Sequence, residues 1–289
     1  MKRKTIAAAA AALAAAALTA WTLWGNTALT AEKITVSSER LPAAFSGFAI
    51  AQVSDLHNAE FGEDNEKLLD LLAGLSPDMI ALTGDLVDSR STGLGIALRF
   101  AEKAAEIAPV CYVPGNHEAR IADYDALREG LSAAGVTVLE DAALPLSRAG
   151  ESITLIGLRD PDFAAGSPGS PARRLEETLT ALTQDASGFT LLLSHRPEYF
   201  PVYAGCGIDL TLSGHAHGGQ IRLPFLGGLL APGQGFLPEY DAGLCREGDA
   251  QMVVSRGLGN SVFPLRVNNR PEVVLVTLQA AGAETFAEK

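Results

Sequence analysis

The chain of 289 residues contains only five histidines, His57, His117, His195, His215 and His217. Each follows a short apolar run with the character of a β-strand, and each stands beside Gly, Asp, Asn or Ser. Asp55 and His57 follow Phe48-Ala-Ile-Ala-Gln-Val53, and Asp85 follows Met79-Ile-Ala-Leu82. Asn116 and His117 follow Val110-Cys-Tyr-Val113, and His195 follows Thr190-Leu-Leu-Leu193. His215 and His217 follow Ile208-Asp-Leu-Thr-Leu212. Imidazole nitrogen together with carboxylate oxygen suits borderline divalent ions such as Zn, Mn, Fe or Co. Taken singly, the segments differ in weight. Asp55-x-His57 reads equally well as a hydrogen-bonded Asp beside a core His, and Gly84-Asp85 as an ordinary turn. Gly214-His-Ala-His-Gly-Gly219 has few structural excuses. Their joint occurrence at strand ends points to one metal site.

Elements to carry such a site are visible in the apolar periodicity. Leu68, Leu71, Leu72 and Leu75 recur at helical spacing behind Asp64, a candidate cap, and Pro77-Asp78 ends that helix. A second helix with Ile96, Phe100 and Ile107 inward runs to Pro109, and a third, near 124–134, ends at Gly135. With a first strand at Thr35–Leu41, the early chain reads βαβαβα, the pattern of parallel strands with crossover helices. Strands are expected at 136–139, 144–147 and 152–158. A helix opened by Pro171 presents Leu175, Leu179 and Leu182 on one face. The segment 218–248 is rich in Gly and Pro and reads as loops and short hairpins, with closing strands at 252–255 and 272–278. These features predict an α/β fold: two mixed β-sheets face to face, flanked by helices in a four-layer sandwich. Ligands are expected along the C-terminal ends of the strands.

The formal charge is −12. Setting aside Lys2, Arg3 and Lys4, the remainder carries 19 basic against 34 acidic side chains, a balance of −15. Such a surface repels polyanions, so nucleic acid is not an expected partner. Behind the basic cluster, Ile6 to Trp24 is an unbroken apolar or small run of 19 residues, long enough to span a bilayer. The basic residues orient the N-terminus inside and the domain outside. Trp21 and Trp24 resemble interfacial anchors. A cleaved signal peptide, releasing a secreted domain, is the alternative, although no small-x-small cleavage site follows Trp24. The expected division is an anchor or signal and linker over 1–31, one catalytic domain over 32–280 and a tail over 281–289. Cys111, Cys206 and Cys245 lack metal-ligand spacing and do not form a disulfide framework. Cys111 reads as a core residue.

Asp55-x-His57, Gly84-Asp85-x-x-Asp88, Gly115-Asn116-His117-Glu118, His195 and Gly214-His215-x-His217 resemble, in order, the motifs of the calcineurin-like metallophosphoesterases. Ser54-Asp-Leu-His57, the block through Gln220 and Ser255-Arg-Gly-Leu-Gly259 look most like the membrane-associated bacterial YaeI/YkuE-type phosphodiesterases. Some relatives there carry a twin-arginine export signal, where this chain has Lys-Arg-Lys. The resemblance implies two divalent ions (Mn, Zn, Fe, Mg or Co). Asp55, His57, Asp85 and His217 would hold one, and Asp85, Asn116, His195 and His215 the other, with Asp85 bridging. Two divalent ions, two carboxylates and a bridging hydroxide sum to about +1, which attracts a phosphoryl group.

The resemblance also makes His117 the group that protonates the leaving oxygen, with Asp88 orienting its ring. For Glu118, solvent is the expected surrounding. Arg196, Arg222 and Arg256 read as surface or paired arginines rather than phosphate ligands. Phe225-Leu-Gly-Gly-Leu-Leu230 reads first as a packed loop, with a membrane-dipping or acyl-cradling element as the alternative. The function implied is a phosphoesterase in which the hydroxide attacks a phosphodiester or pyrophosphate ester near a membrane. The rivals are a phosphomonoesterase or protein phosphatase, and a non-catalytic metal-binding scaffold.

Overall fold

A computed structural model describes residues 2–184, 186–260 and 263–281, so all but the first residue of the expected tail lies outside the described residues. The chain opens with helix α1 (Lys2–Thr27) and strand β1 (Thr30–Ser38). Then β2 (Ala49–Val53), α2 (Glu66–Leu75), β3 (Met79–Thr83), α3 (Gly95–Ala105), β4 (Val110–Val113), α4 (Tyr124–Ala133) and β5 (Thr137–Val138) alternate as predicted. A hairpin of β6 (Ala142–Arg148) and β7 (Glu151–Gly157) follows, then α5 (Pro171–Thr183), β8 (Thr190–Leu193), α6 (Phe200–Gly205) and β9 (Leu210–Ser213). The Gly- and Pro-rich segment forms two small hairpins, β10 (Arg222–Leu223) with β11 (Gly227–Gly228) and β12 (Leu230–Ala231) with β13 (Gly235–Phe236). Strands β14 (Gly243–Glu247), β15 (Ala250–Val254) and β16 (Glu272–Ala280) complete the fold.

The strands form two six-stranded mixed sheets, ordered β1-β16-β2-β3-β4-β5 and β14-β15-β9-β8-β7-β6. Period-2 alternation decides which layer each side chain enters. In β2 to β4, Ile50, Met79, Ala81, Cys111 and Val113 face the second sheet. Their neighbours Ala51, Val53, Ile80, Leu82 and Tyr112 face α2, α3 and α4, where they meet Leu68, Leu72, Phe100, Leu127 and Leu131. The second sheet behaves alike. Leu191, Leu193, Leu210 and Leu212 point between the sheets, while Leu192, Met252 and Val254 pack on Leu175, Leu179, Phe200 and Tyr203. Strands buried on both faces need helices on one side and a second sheet on the other, which gives the four layers expected.

Three local expectations are revised. Asp64 does not cap α2; the cap position is Asn65, and Asp64 is bound by Arg99 and Lys103 of α3. Strand β1 begins earlier than its own sequence suggests, because it pairs in parallel with β16 from Thr30↔Glu272 onward. The predicted run of strands after α4 divides, with β5 closing one sheet and β6 and β7 forming the edge of the other.

Leu212 is fully buried between the sheets, directly beneath the Gly214-His215-x-His217 loop. Leu212→Ala is expected to cost about 2–5 kcal/mol of folding stability. Urea denaturation of the two proteins would check this, and a loss under about 0.5 kcal/mol, the surface range, would refute the packing described.

Candidate metal centre

The parallel strands β2, β3, β4, β8 and β9 run in the same sense within their sheets and deliver their C-terminal loops to one rim. The loops do not continue as strands. Asp55, His57, Asp85, His215 and His217 all have positive φ, between 47° and 65°. Non-glycine residues occupy that region at a cost of roughly 1–3 kcal/mol each, so neighbouring backbone must hold them. Asp55 N–H donates to Gly84 O (3.0 Å), His57 N–H to Asp85 O (3.0 Å) and Gly214 N–H to His195 O (3.1 Å). At Gly214 a Cβ would overlap Ser54 and Asp55, and at Gly115 it would overlap the Asp85 carboxylate. These two glycines are therefore what lets four loops close on one point.

All nine candidate residues are brought together, each no more than 8% exposed. Asp55, His57 and His217 make one group: His217 Nε2 lies 3.3 Å from Asp55 Oδ1 and 3.2 Å from His57 Nε2. Asp85, His195 and His215 make another: His195 Nε2 is 3.1 Å from Asp85 Oδ2 and 3.2 Å from His215 Nδ1. His215 and His217, adjacent in the motif, thus serve different groups. Asp85 Oδ2 also stands 3.7 Å from His57 Nε2, so one oxygen lies between both. Asn116 reaches the second group with one end of its amide 2.8 Å from His215 Nδ1. The nitrogen in that place donates to His215; the oxygen there adds another lone pair to the convergent set.

This donor set fits divalent cations. Ligands about 2.0–2.2 Å from a tetrahedral or octahedral ion stand about 3.0–3.5 Å from each other, close to the separations here. Protonation preferences agree. Burial pushes Asp55 and Asp85 up, yet His217 beside the first and His195 beside the second outweigh it and hold both carboxyls low. Burial drives His215 and His217 the other way, the latter down to about 3, so both rings are neutral and free to offer a lone pair. At His195 burial is overcome by Asp85, and the ring is pushed up to about 10. The two carboxylates therefore attract positive charge, for which a proton and a metal ion compete.

His117 sits edge-on to His57, with ring centroids 4.5 Å apart. Its Nδ1 accepts from the Ser89 backbone N–H at 3.0 Å, so the neutral ring carries its proton on Nε2. Asp88 Oδ1 stands 3.6 Å from Nδ1, beyond hydrogen-bonding reach. Burial raises the Asp88 carboxyl, but its hydrogen bonds from Arg90 outweigh this and lower it to about 2. Asp88 is thus a close charged neighbour of the ring, while the hydrogen bond at Nδ1 comes from Ser89 in the turn after it, where Ser91 N–H bonds Asp88 O at 2.9 Å.

Glu118, expected in solvent, is fully buried instead. Its Oε2 accepts the backbone N–H groups of Asp85 (2.8 Å) and Gly115 (2.7 Å), and Oε1 that of Val87 (3.1 Å). It ties the Asp85 loop to the Asn116 loop. Burial, with Asp85 close by, lifts its carboxyl to about 7 against the pull of those donors. Its signal was present in the sequence, a carboxylate directly behind Asn-His, but apolar patterning says nothing about a buried acid. Arg266 carried no signal. It is 1% exposed, donates to Gly259 O (2.6 Å) and Arg256 O (2.8 Å), and stands 3.5 Å from His217 Nδ1. Arg196, Arg222 and Arg256 are ion-paired, with Asp160, Asp241 and Glu272 respectively. An open cleft over the centre is lined by Asn116, His117, Arg120, Arg196, Pro232 and Gly233.

Glu118→Ala removes the acceptor that fixes both loops, and groups supporting ligands are typically worth 10–100-fold in metal affinity. A loss of roughly that size is expected in metal titrations of the variant. Unchanged affinity would show that the loops hold themselves.

The profile of the calcineurin-like phosphoesterases matches residues 48–219, which contain every candidate ligand. The metallophosphoesterase YkuE of Bacillus subtilis (strain 168) is 31% identical over 253 residues, 86% of this chain and 85% of its own. Phosphodiesterase YaeI of Escherichia coli (strain K12) is 32% identical over 237 residues, covering 80% and 82%. Among solved structures, TT1561 of Thermus thermophilus shares the fold with a TM-score of 0.51 at 18% identity, covering 73% of this chain and 89% of that one. The chain belongs to the calcineurin-like phosphoesterase family of metal-dependent phosphoester hydrolases.

Proposed function

We propose that the protein hydrolyses a phosphodiester or pyrophosphate ester at a pair of divalent cations shared through Asp85. The position of Asp85 Oδ2, 3.1 Å from His195 Nε2 and 3.7 Å from His57 Nε2, carries this reading. Asp55, His57 and His217 with Asp85 would hold one ion, and His195, His215 and Asn116 with Asp85 the other. Cations there would neutralise the phosphoryl oxygens and acidify the attacking water.

The chain's own groups do the rest. Glu118 fixes the two loops, so the ligands are set before substrate arrives and little reorganisation is needed. His117 presents Nε2–H toward the cleft as a donor to the phosphoryl or leaving oxygen, oriented at Nδ1 by Ser89. Asp88 is a positioning residue, acting on His117 through the turn it anchors and through its charge. The relative named a phosphodiesterase supports the diester over the monoester.

Helix α1 bears on where the substrate is. Its stretch Arg3–Thr27 is long and apolar enough to cross a membrane and is not buried against the domain. Read as a retained span with Lys2, Arg3 and Lys4 inside, it holds the catalytic domain on the extracytoplasmic face, near phosphoesters of the envelope.

Three outcomes test the reading. With Mn or Zn added, the protein should hydrolyse bis(p-nitrophenyl) phosphate faster than p-nitrophenyl phosphate; failure on both while metal binds defeats it. Asp85→Asn should lower the metal content at both positions, seen by elemental analysis. His117→Ala should keep both ions and slow turnover by roughly 10²–10⁴. Release of metal by that variant would reassign His117 as a ligand.

A further inference from the structure

Among the described residues, the large apolar side chains that stand exposed are confined to two places. Six lie on α1, and the other nine fall within 223–237 and 263–267. Phe225 is fully exposed, and Leu226, Phe236 and Leu237 are more than half exposed. The packed loop expected at 225–230 is therefore not what the structure contains. A soluble surface scatters such side chains singly, whereas their concentration marks a contact surface.

These segments are tied into one unit with the foot of α1. Gln220 Nε2 donates to Phe263 O (2.8 Å) and Leu265 O (3.0 Å), and Ile221 bridges Val267. Leu229 N–H bonds Ile221 O (2.8 Å), and Leu237 N–H bonds Leu229 O (2.9 Å). At the helix, Asn26 accepts the Arg266 N–H (2.8 Å) and donates to Arg266 O (3.1 Å). The Arg270 guanidinium lies over the Trp24 ring at 4.6 Å and donates to Ala28 O (2.9 Å) and Leu29 O (2.6 Å). The helix does not hang from a loose linker. Its last turn is bonded to the segment that carries Phe263 and Leu265.

We propose that the apolar tips of 223–237 and 263–267 rest in the surface of the bilayer that α1 enters, so that the metal cleft opens at the level of the lipid headgroups. The occupant is a lipid surface because the face adjoins the one helix among the described residues that is long and apolar enough to cross it. Trp21 and Trp24 beside Arg270 have the amphipathic character of residues at a membrane boundary. The same loop reaches the chemistry. Pro232 and Gly233, between Leu230 and Phe236, wall the cleft beside His117 and His215. A phosphoester whose apolar tail stays in the bilayer would reach the centre without leaving it. That consequence rests on the phosphoesterase reading above; the docking does not.

The test uses the full chain in vesicles of equal parts phosphatidylcholine and phosphatidylglycerol. In a Cys206→Ser, Cys245→Ser background, Phe225→Cys or Glu129→Cys carries an environment-sensitive fluorophore, and a doxyl-labelled phospholipid is the quencher. Glu129 is exposed on α4 and reports tethering without contact. Interfacial side chains bury about 5–10 Å into the headgroup and acyl boundary, so the label at 225 should be strongly quenched and blue-shifted, and that at 129 neither. Equal, weak quenching at both positions overturns the proposal. Self-quenching at 225 that rises with protein density but ignores the doxyl lipid would assign the face to a second copy, and also overturns it. Hydrolysis of bis(p-nitrophenyl) phosphate by the same proteins is read separately from the quenching. Loss of activity with quenching retained would count against the function and leave the docking standing.

Discussion

Two carboxylates, Asp55 and Asp85, are buried at the junction of the two sheets, and the rest of the structure answers to them. An unpaired buried charge costs several kcal/mol even after relaxation. Here the compensation is assembled from both sheets: His57 comes from the first and His195 from the second, with the neutral His217 ring 3.3 Å from Asp55. Backbone dipoles contribute as well, with His117 N–H on Asp85 Oδ1 (2.8 Å) and His215 N–H on Asp55 (3.1 Å). The sheets are joined by apolar packing along their length and by ion pairs such as Arg40–Asp209 and Arg256–Glu272, and at this rim their relative position also decides whether two fully buried carboxylates are satisfied. Metal affinity and fold stability are therefore linked. A cation placed among these oxygens removes the same electrostatic penalty that otherwise opposes folding.

The strain of the ligand loops follows from that demand. Extended strands would send Asp55 and His57 to the same side at i, i+2, yet would leave their side chains parallel rather than convergent. Left-handed residues curl the chain back so that side chains from one loop enter two groups, as those of His215 and His217 do. Such conformations persist only where surrounding structure over-determines them. Glu118, bonding three backbone N–H groups of the two neighbouring loops, supplies that over-determination for the first sheet's half of the centre.

What the sequence made legible was governed by period and by residue type. Continuous apolar runs located β2, β3, β4, β8 and β9 to within a residue or two, because strands buried on both faces must be apolar throughout. Histidine is rare enough in this chain that its placement, with Asp55, Asp85 and Asn116, pointed to the loops whose side chains the structure gathers at one rim. The start of β1 was not legible, since its register belongs to β16, more than 200 positions away. Nor was the indirect tie between Asp88 and His117. Carboxylate and imidazole types suggest a direct bond, whereas the backbone N–H of Ser89, invisible to a reading of side chains, takes the place. Arg266 shows the same limit. A buried arginine looks like any surface arginine until its acceptors, here the carbonyls of Arg256 and Gly259, are brought to it.

Arg266 also connects features that would otherwise be separate. Its backbone is held by Asn26 at the foot of α1, and its guanidinium lies 3.5 Å from His217 Nδ1. Displacing the helix from the domain would remove the hydrogen bonds to the backbone of Arg266, whose guanidinium stands behind His217. Burial and the neighbouring Arg256 press this guanidinium down to about 10 despite Asp55 nearby, so its place depends on the backbone carbonyls that bind it. A flexible tether would have isolated the centre from whatever the helix experiences. The bonded joint instead runs from Asn26 through Arg266 to within 3.5 Å of His217.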